Sequence, residues 1–361
     1  MNKYTAMLTG TTLLFSSLLP TTLPADDTEH NVRAVKEHII PAYAEFARTI
    51  HGMAVDAASF CDQPNEQNLQ QLQQDFQHSM DAWQGIQHIR FGPIEFVLRM
   101  NRIQLWPDKR SSVSKHLDKL LSSQDPAALE TERFATGSVA VQGFSALERL
   151  LYDDQVAAAS YASEDSASRY RCAVIKAITA NLATIAGNLH KEWSQGNDAY
   201  INFIASAADE NDFYESDVEV SSIMLNNLHT ELQVIVDQKL DRALDKSLKK
   251  ARGTRAENWR SGRSLRNISI NLQSLRAFYR LAFAPRLSDE QLNNNIETAF
   301  ANTLAAVDAI ALPLDKAVKD AKARPQVENL RTEASKLKAL IGGDLPQSLG
   351  LSLGFNSLDG D

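Results

Sequence analysis

The spacing of the apolar residues narrows what this chain can become more than any other feature. From Val32 onward they fall at Val35, Ile39, Tyr43, Phe46, Ile50, Met53, Ala57 and Phe60, in steps of three and four. At 3.6 residues per turn these side chains share one face, so the stretch is a long amphipathic helix. Pro41 lies inside it, and the backbone donor missing there predicts a kink. The same spacing recurs at Leu69, Leu72, Phe76, Met80 and Trp83, in a helix from about residue 66 to 89 that Arg90-Phe91-Gly92-Pro93 ends. It returns at Ile175, Ile178, Leu182, Ile185 and Leu189, and the rhythm predicts further helices over 218–250, 263–283, 288–310 and 314–340. Leu265, Ile268, Leu272, Leu275 and Tyr279 make the clearest of these later stripes. The Gly, Asn and Asp-rich tail after Gly342 reads as a cap or loop. Nothing alternates with a period of two, so the fold class is all-α.

The N-terminus joins Lys3 to an apolar run from Met7 to Leu19, then Leu23-Pro24-Ala25 and the acidic Asp26-Asp27. That is the pattern of a secretory signal peptide over 1–25, and no cysteine near its end suggests a lipid anchor. No later stretch approaches 18 continuous apolar residues, which argues against a transmembrane span. About 335 residues remain, more than one core usually supports, so two helical bundles are expected over 26–195 and 196–361. Four long helices would close the first bundle. A formal net charge of -8 disfavours nucleic acid as a partner. The two cysteines, Cys61 and Cys172, lack any Cys-x-x-Cys or Cys/His spacing, and in an exported protein they read as a disulfide. In an up-down-up-down bundle the end of the first helix and the start of the fourth share a pole, which is where both stand.

A different pattern stands at Gly143-Phe144-Ser145-Ala146-Leu147-Glu148, read as part of a helix from about Val139 to Tyr152. Phe144, Leu147 and Leu151 form its apolar stripe, while Gln142, Ser145, Glu148 and Tyr152 form a polar seam beside it. A glycine inside a helix costs roughly 1 kcal/mol against alanine, so Gly143 implies a close-packed neighbour, either a partner helix or a ligand.

This hexamer resembles the G-x-H-x-x-E signature of imelysin-like proteins. Gly143 and Glu148 are in register, and Ser145 stands where the family has its histidine. Trp106-Pro107-Asp108, the block from Trp259 to Asn267, and the closing run from Gly354 to Asp361 extend the resemblance over nearly all of the expected mature chain. It implies two packed helical bundles and an envelope protein associated with iron acquisition. It also implies a site around Gly143, Ser145 and Glu148, with Trp106, Asp108, Arg260, Arg263 and Asn267 as candidate ligand-binding residues between the bundles. Iron or another divalent metal is the cofactor the resemblance suggests. Glu148 is the strong donor left in the motif, and His88, just ahead of the break at Arg90-Phe91-Gly92-Pro93, is the nearest histidine to name beside it.

The remaining motifs exclude more than they support. No His-Glu-x-x-His pair is present, which argues against a helical zinc peptidase. Gly143-Phe144-Ser145-Ala146-Leu147 lacks the last glycine of a nucleophile elbow and the strand that must precede one. Seven arginines between Arg252 and Arg280 (252, 255, 260, 263, 266, 276 and 280) either bind an anion through forked donors or pair with acids of the other half. The residues thus support a non-catalytic binding protein for a small ligand or an envelope partner. A metallopeptidase-like hydrolase and a scaffold for an envelope protein are the alternatives.

Overall fold

The computed structural model describes residues 27–154, 156–162, 165–209 and 211–354. The expected leader and the run from Phe355 to Asp361 lie outside the described residues. Among the described residues there is no strand. α1 (27–62) passes through a π turn at Val35–Ile39; α2 is Glu66–Ile86, α3 Ser112–Ser123, α4 Phe144–Tyr152 and α5 Ser166–Ser194. The second half holds α6 (217–244), α7 Ser264–Ala282, α8 Glu290–Asp308 and α9 (324–349).

Four of the helices, α2, α5, α6 and α8, begin where a side chain satisfies a free backbone donor. Asn65, Asp165, Ser216 and Asp289 accept from the N–H groups of Asn68, Ser168, Glu219 and Leu292, at 2.9, 2.8, 3.2 and 2.9 Å. At Pro41 the chain solves the missing donor with the π turn. Ile40 N–H reaches back to the carbonyl of Val35, and the proline falls in the first turn of the segment that follows, where no N–H is needed.

The apolar stripes read from the sequence are the core. All eight residues from Val35 to Phe60 in the α1 stripe are fully buried, as are Leu72, Phe76 and Met80 of α2 and Ile175, Ile178, Leu182 and Leu189 of α5. α1 packs along both α2 and α5, α8 packs on α9, and α7 packs on α2. α5 is long and apolar enough by composition to cross a membrane. Its stripe is instead spent inside the core, and the helix carries Arg169, Arg171, Lys176 and Lys191.

Four boundaries differ from the expectation. α4 has only nine residues, so α1, α2 and α5 are the long helices of the first half and short helices complete it. α6 stops at Leu244, where Asp245 takes φ 51°, and Leu248–Lys250 is a separate turn. The helix expected over 314–340 is broken between Leu314–Ala317 and Arg324. The tail after Gly342 stays helical to Leu349. The reason is tertiary: a side chain at Gly342 would stand 2.6 Å from the His229 ring, so the glycine permits close packing of α9 on α6 and is not a stop signal.

One polar pair lies deep in this packing. His38 of α1 and His88, just after α2, approach at 3.2 Å between their Nε2 atoms and both face Phe278 of α7. One ring must donate and the other accept, so the two cannot both be protonated. Burial lowers the His38 pKa to about 4. His88 is also well below its usual range, first through burial and then through His38 and Arg90.

Two predictions follow from the fold. Cys61 and Cys172 form the disulfide, with Cα atoms 5.5 Å apart across a separation of 111 residues. Closing such a loop contributes roughly 4 kcal/mol in the chain-entropy model, so Cys61→Ala/Cys172→Ala should show a matching drop in urea-unfolding free energy; a loss under about 1 kcal/mol would contradict it. Between about pH 6.5 and 4 the unfolded chain binds protons that the folded histidine pair refuses. Stability is therefore full above that window and falls as the pH drops through it. Thermal midpoints taken from pH 7 to 4 should fall, and His38→Phe should flatten the fall; an unchanged slope in the variant would refute the assignment.

Candidate functional site

The site begins with a backbone crossing. Gly143 is not inside a helix but is the N-cap of α4, with φ -136° and its carbonyl accepting from the N–H groups of Ala146 and Leu147. A Cβ there would lie 2.2 Å from the carbonyl oxygens of both Arg102 and Ile103. The close-packed neighbour is thus the carbonyl end of the short helix Arg99–Ile103, and not a ligand. Two residues on, Ser145 Oγ donates to the Leu105 carbonyl at 3.0 Å. Together these contacts fix the 102–106 segment against α4. They set Gln104 facing inward and Trp106 at the rim of a cleft.

That cleft is a pocket of about 430 Å³ built from both halves of the chain. Trp106, Asp108, Ser111, Ser145, Glu148 and Arg149 line it from the first half, and Arg242, Arg255, Trp259 and Arg260 from the second. Asp108 is held by accepting from the N–H groups of Ser112 and Val113, at 2.7 and 2.9 Å, which caps α3. The Trp106 indole is half-buried rather than buried, so it serves the pocket as well as the packing. Arg260 lies over the Trp259 ring at 4.5 Å and pairs with Asp153, which Arg149 also holds.

Glu148 is buried, and one of its carboxylate oxygens accepts from the N–H and the hydroxyl of Ser261, at 3.0 and 2.6 Å. Burial pushes its pKa above the usual carboxylate range, opposed by Ser261 and by the nearby Arg260. It is therefore a link between α4 and the second half.

Behind the pocket runs a continuous polar seam. Lys239, 1% exposed, pairs with Glu257 at 2.9 Å and stands 3.7 Å from Glu231. It also donates to Gln84 Oε1 and Asn271 Oδ1, at 2.9 and 2.6 Å. Arg90 and Gln87 complete the shell of Glu231. Gln104 donates to Glu257 and Asn258 and accepts from the Trp83 indole. Along the same contact Asn267 bridges Glu257, Asn258 and Arg263, while Arg263 reaches Gln77 and Asp81 of α2.

The expected site residues therefore divide. Trp106, Asp108, Ser145, Glu148 and Arg260 line the pocket, Gly143 supports it from behind, and Arg263 and Asn267 belong to the seam. Of the seven arginines, Arg260, Arg263 and Arg266 pair with Asp153 and Asp81 of the first half, while Arg276 and Arg280 share Glu297 of α8. His88 does not join Glu148: its partner is His38, at the α1, α2 and α7 junction. Sequence reasoning missed Gln84, Gln104, Arg242, Glu231, Lys239 and Glu257. Lys239 left a signal, since it interrupts the run Val234-Ile235-Val236 to Leu240 on a face otherwise apolar.

These residues do not fit a bound transition metal. Ser145 offers a neutral hydroxyl already given to Leu105, and Glu148 is one carboxylate already twice bonded, with guanidinium groups beside it. Among the described residues no three His, Cys, Asp or Glu side chains gather as a ligand set.

Comparison with known proteins agrees with the architecture. An imelysin-like protein from Psychrobacter arcticum superposes with a TM-score of 0.75 at 22% identity, covering 91% of this chain and 97% of that one. A protein from Parabacteroides distasonis, described as an iron-regulated protein A precursor, gives 0.70 at 14% identity over 90% and 95%. No curated protein matches. The imelysin family model matches residues 39–341, and over that span the chain belongs to the imelysin family.

Proposed function

We propose that this is an exported, non-catalytic binding protein of the cell envelope, associated with iron acquisition, which holds a small ligand in the pocket between its two helical bundles. The division into bundles at residues 195 and 196, export through the leader over 1–25, and release into the periplasm are parts of the same proposal. The iron association draws on the family and on the description of the Parabacteroides protein. One observation carries the binding reading: the pocket is walled by residues from both halves around the motif helix, and two half-buried tryptophans line it. Concave sites with aromatic walls and a few fixed polar groups are typical of small-ligand binding. Against hydrolysis, the Ser145 hydroxyl donates to a backbone carbonyl and not to a side-chain base.

The donor chemistry predicts a weak metal site that one substitution should improve. Calorimetric titration with Zn²⁺ should give no tight binding to the unmodified protein. Ser145→His adds an imidazole beside Glu148 and should raise affinity at least about tenfold, or ~1.4 kcal/mol, with the gain lost when Glu148→Gln is added. Tight binding of Zn²⁺ by the unmodified protein that disappears in Glu148→Gln would overturn the reading.

A further inference from the structure

Two of the arginines that line the pocket form no ion pair among the described residues. Arg149 and Arg260 are neutralised by Asp153 and, for Arg149, by Asp118 as well. Arg242 and Arg255 are not: among the described residues neither has a carboxylate within salt-bridge distance, and the one side-chain bond of Arg242 is to Gln238 Oε1 at 3.3 Å. Of the acids of the adjoining groove, Asp241 pairs with Arg331 and Glu328 with Arg324, while Asp245 feels the charge of Arg255 but accepts from the N–H of Lys246 at 2.7 Å and forms no ion pair with either arginine. Within the pocket Asp108 caps α3 and Glu148 is held by Ser261.

Nor are the two arginines loosely placed. Arg242 sits in the last turn of α6 and is half-buried. Arg255 is exposed, but its turn is anchored: Gly253 packs so closely on Asp315 that a Cβ would lie 2.0 Å from that residue's carbonyl, and Ala256 is buried. The fold thus holds two guanidinium groups near one another. The cost is visible in Arg242, whose pKa is lowered by burial and then by the charge of Arg255. Like charges held together without an ion-paired partner at a pocket are most simply satisfied by an anion that is not part of the chain.

Resting on the reading of this pocket as a ligand site, we infer that its ligand is a small organic anion carrying more than one carboxylate, bound through Arg242 and Arg255 and packed against Trp106. Guanidinium forks match carboxylate geometry in a way that a lysine would not. The pocket volume suits an anion of that size with its apolar atoms against the tryptophan.

The test uses citrate as probe, with its uncharged trimethyl ester for comparison, titrated into the mature full-length protein by calorimetry and tryptophan fluorescence. Citrate should bind one to one, and more weakly as salt is raised. Arg255→Gln and Arg242→Gln should each weaken it by about tenfold, the scale of a lost charge-assisted hydrogen bond, while Arg48→Gln on α1 should leave it unchanged. Should Arg242→Gln fail to fold, the exposed Arg255→Gln carries the test alone. Ester binding as tight as citrate binding, lost in Trp106→Ala but kept in both arginine variants, would overturn the anion assignment while sparing the pocket. Binding of neither compound, or citrate binding indifferent to both arginines, would also overturn it.

Discussion

The structure depends on burying charge between helices that must also exclude water. Lys239 sits with Glu257 and Glu231, all three almost fully buried, and Arg90 supplies the second positive charge. A buried charge is tolerable only when paired and hydrogen-bonded, and each member here has further partners in Gln84, Gln87, Gln104, Asn267 or Asn271. The partners come from α2, α6, α7 and the connecting segments. No one helix can move without leaving a charge or an amide unsatisfied. That selects one arrangement more sharply than apolar contact does, because apolar faces tolerate sliding.

The pocket is the open end of this seam. Gln104 belongs to the seam and Trp106 to the pocket, two residues apart on a segment that Gly143 and Ser145 pin to α4. Asn258 and Arg260 stand in the same relation on the other wall. The N-terminal turns of α1 also cross to the second half, where Asp27 pairs with Arg286 and Asn31 binds the Asp217 carbonyl. In the motif helix, Ser145 and Glu148 have thus become connectors. Each is bonded to a segment that forms a wall, and neither is free to ligate a metal.

Much of the fold was legible because helix geometry turns spacing into burial directly. The stripes of α1, α2, α5 and α7 required only the count of three and four, and the arginine-to-asparagine spacing from Arg263 to Asn271 does mark the face of α7 turned to α2. What failed was decided by distant contacts. Gly143 falls at an N-cap and not inside a helix because the backbone it accommodates lies some forty residues earlier, and the chain stays helical past Gly342 because the neighbour of that glycine is a histidine of another helix. The seam was hidden for a related reason. Gln84, Gln104 and Glu257 are ordinary polar residues until packing brings them together, and only Lys239 and Glu231 interrupt apolar faces visibly enough to have been noticed.

The Lys239 cluster locks the helices of the two halves together. Lys239→Met keeps the bulk and removes the cation, leaving two buried carboxylates of which Glu231 alone keeps an ion pair, to Arg90. Breaking a buried pair in this way costs about 3–5 kcal/mol. Urea unfolding followed by both tryptophan fluorescence and circular dichroism measures it. A loss of that size is expected, largely recovered when Glu257→Gln is added; a Lys239→Met protein within about 1 kcal/mol of the unmodified one would contradict the locking role.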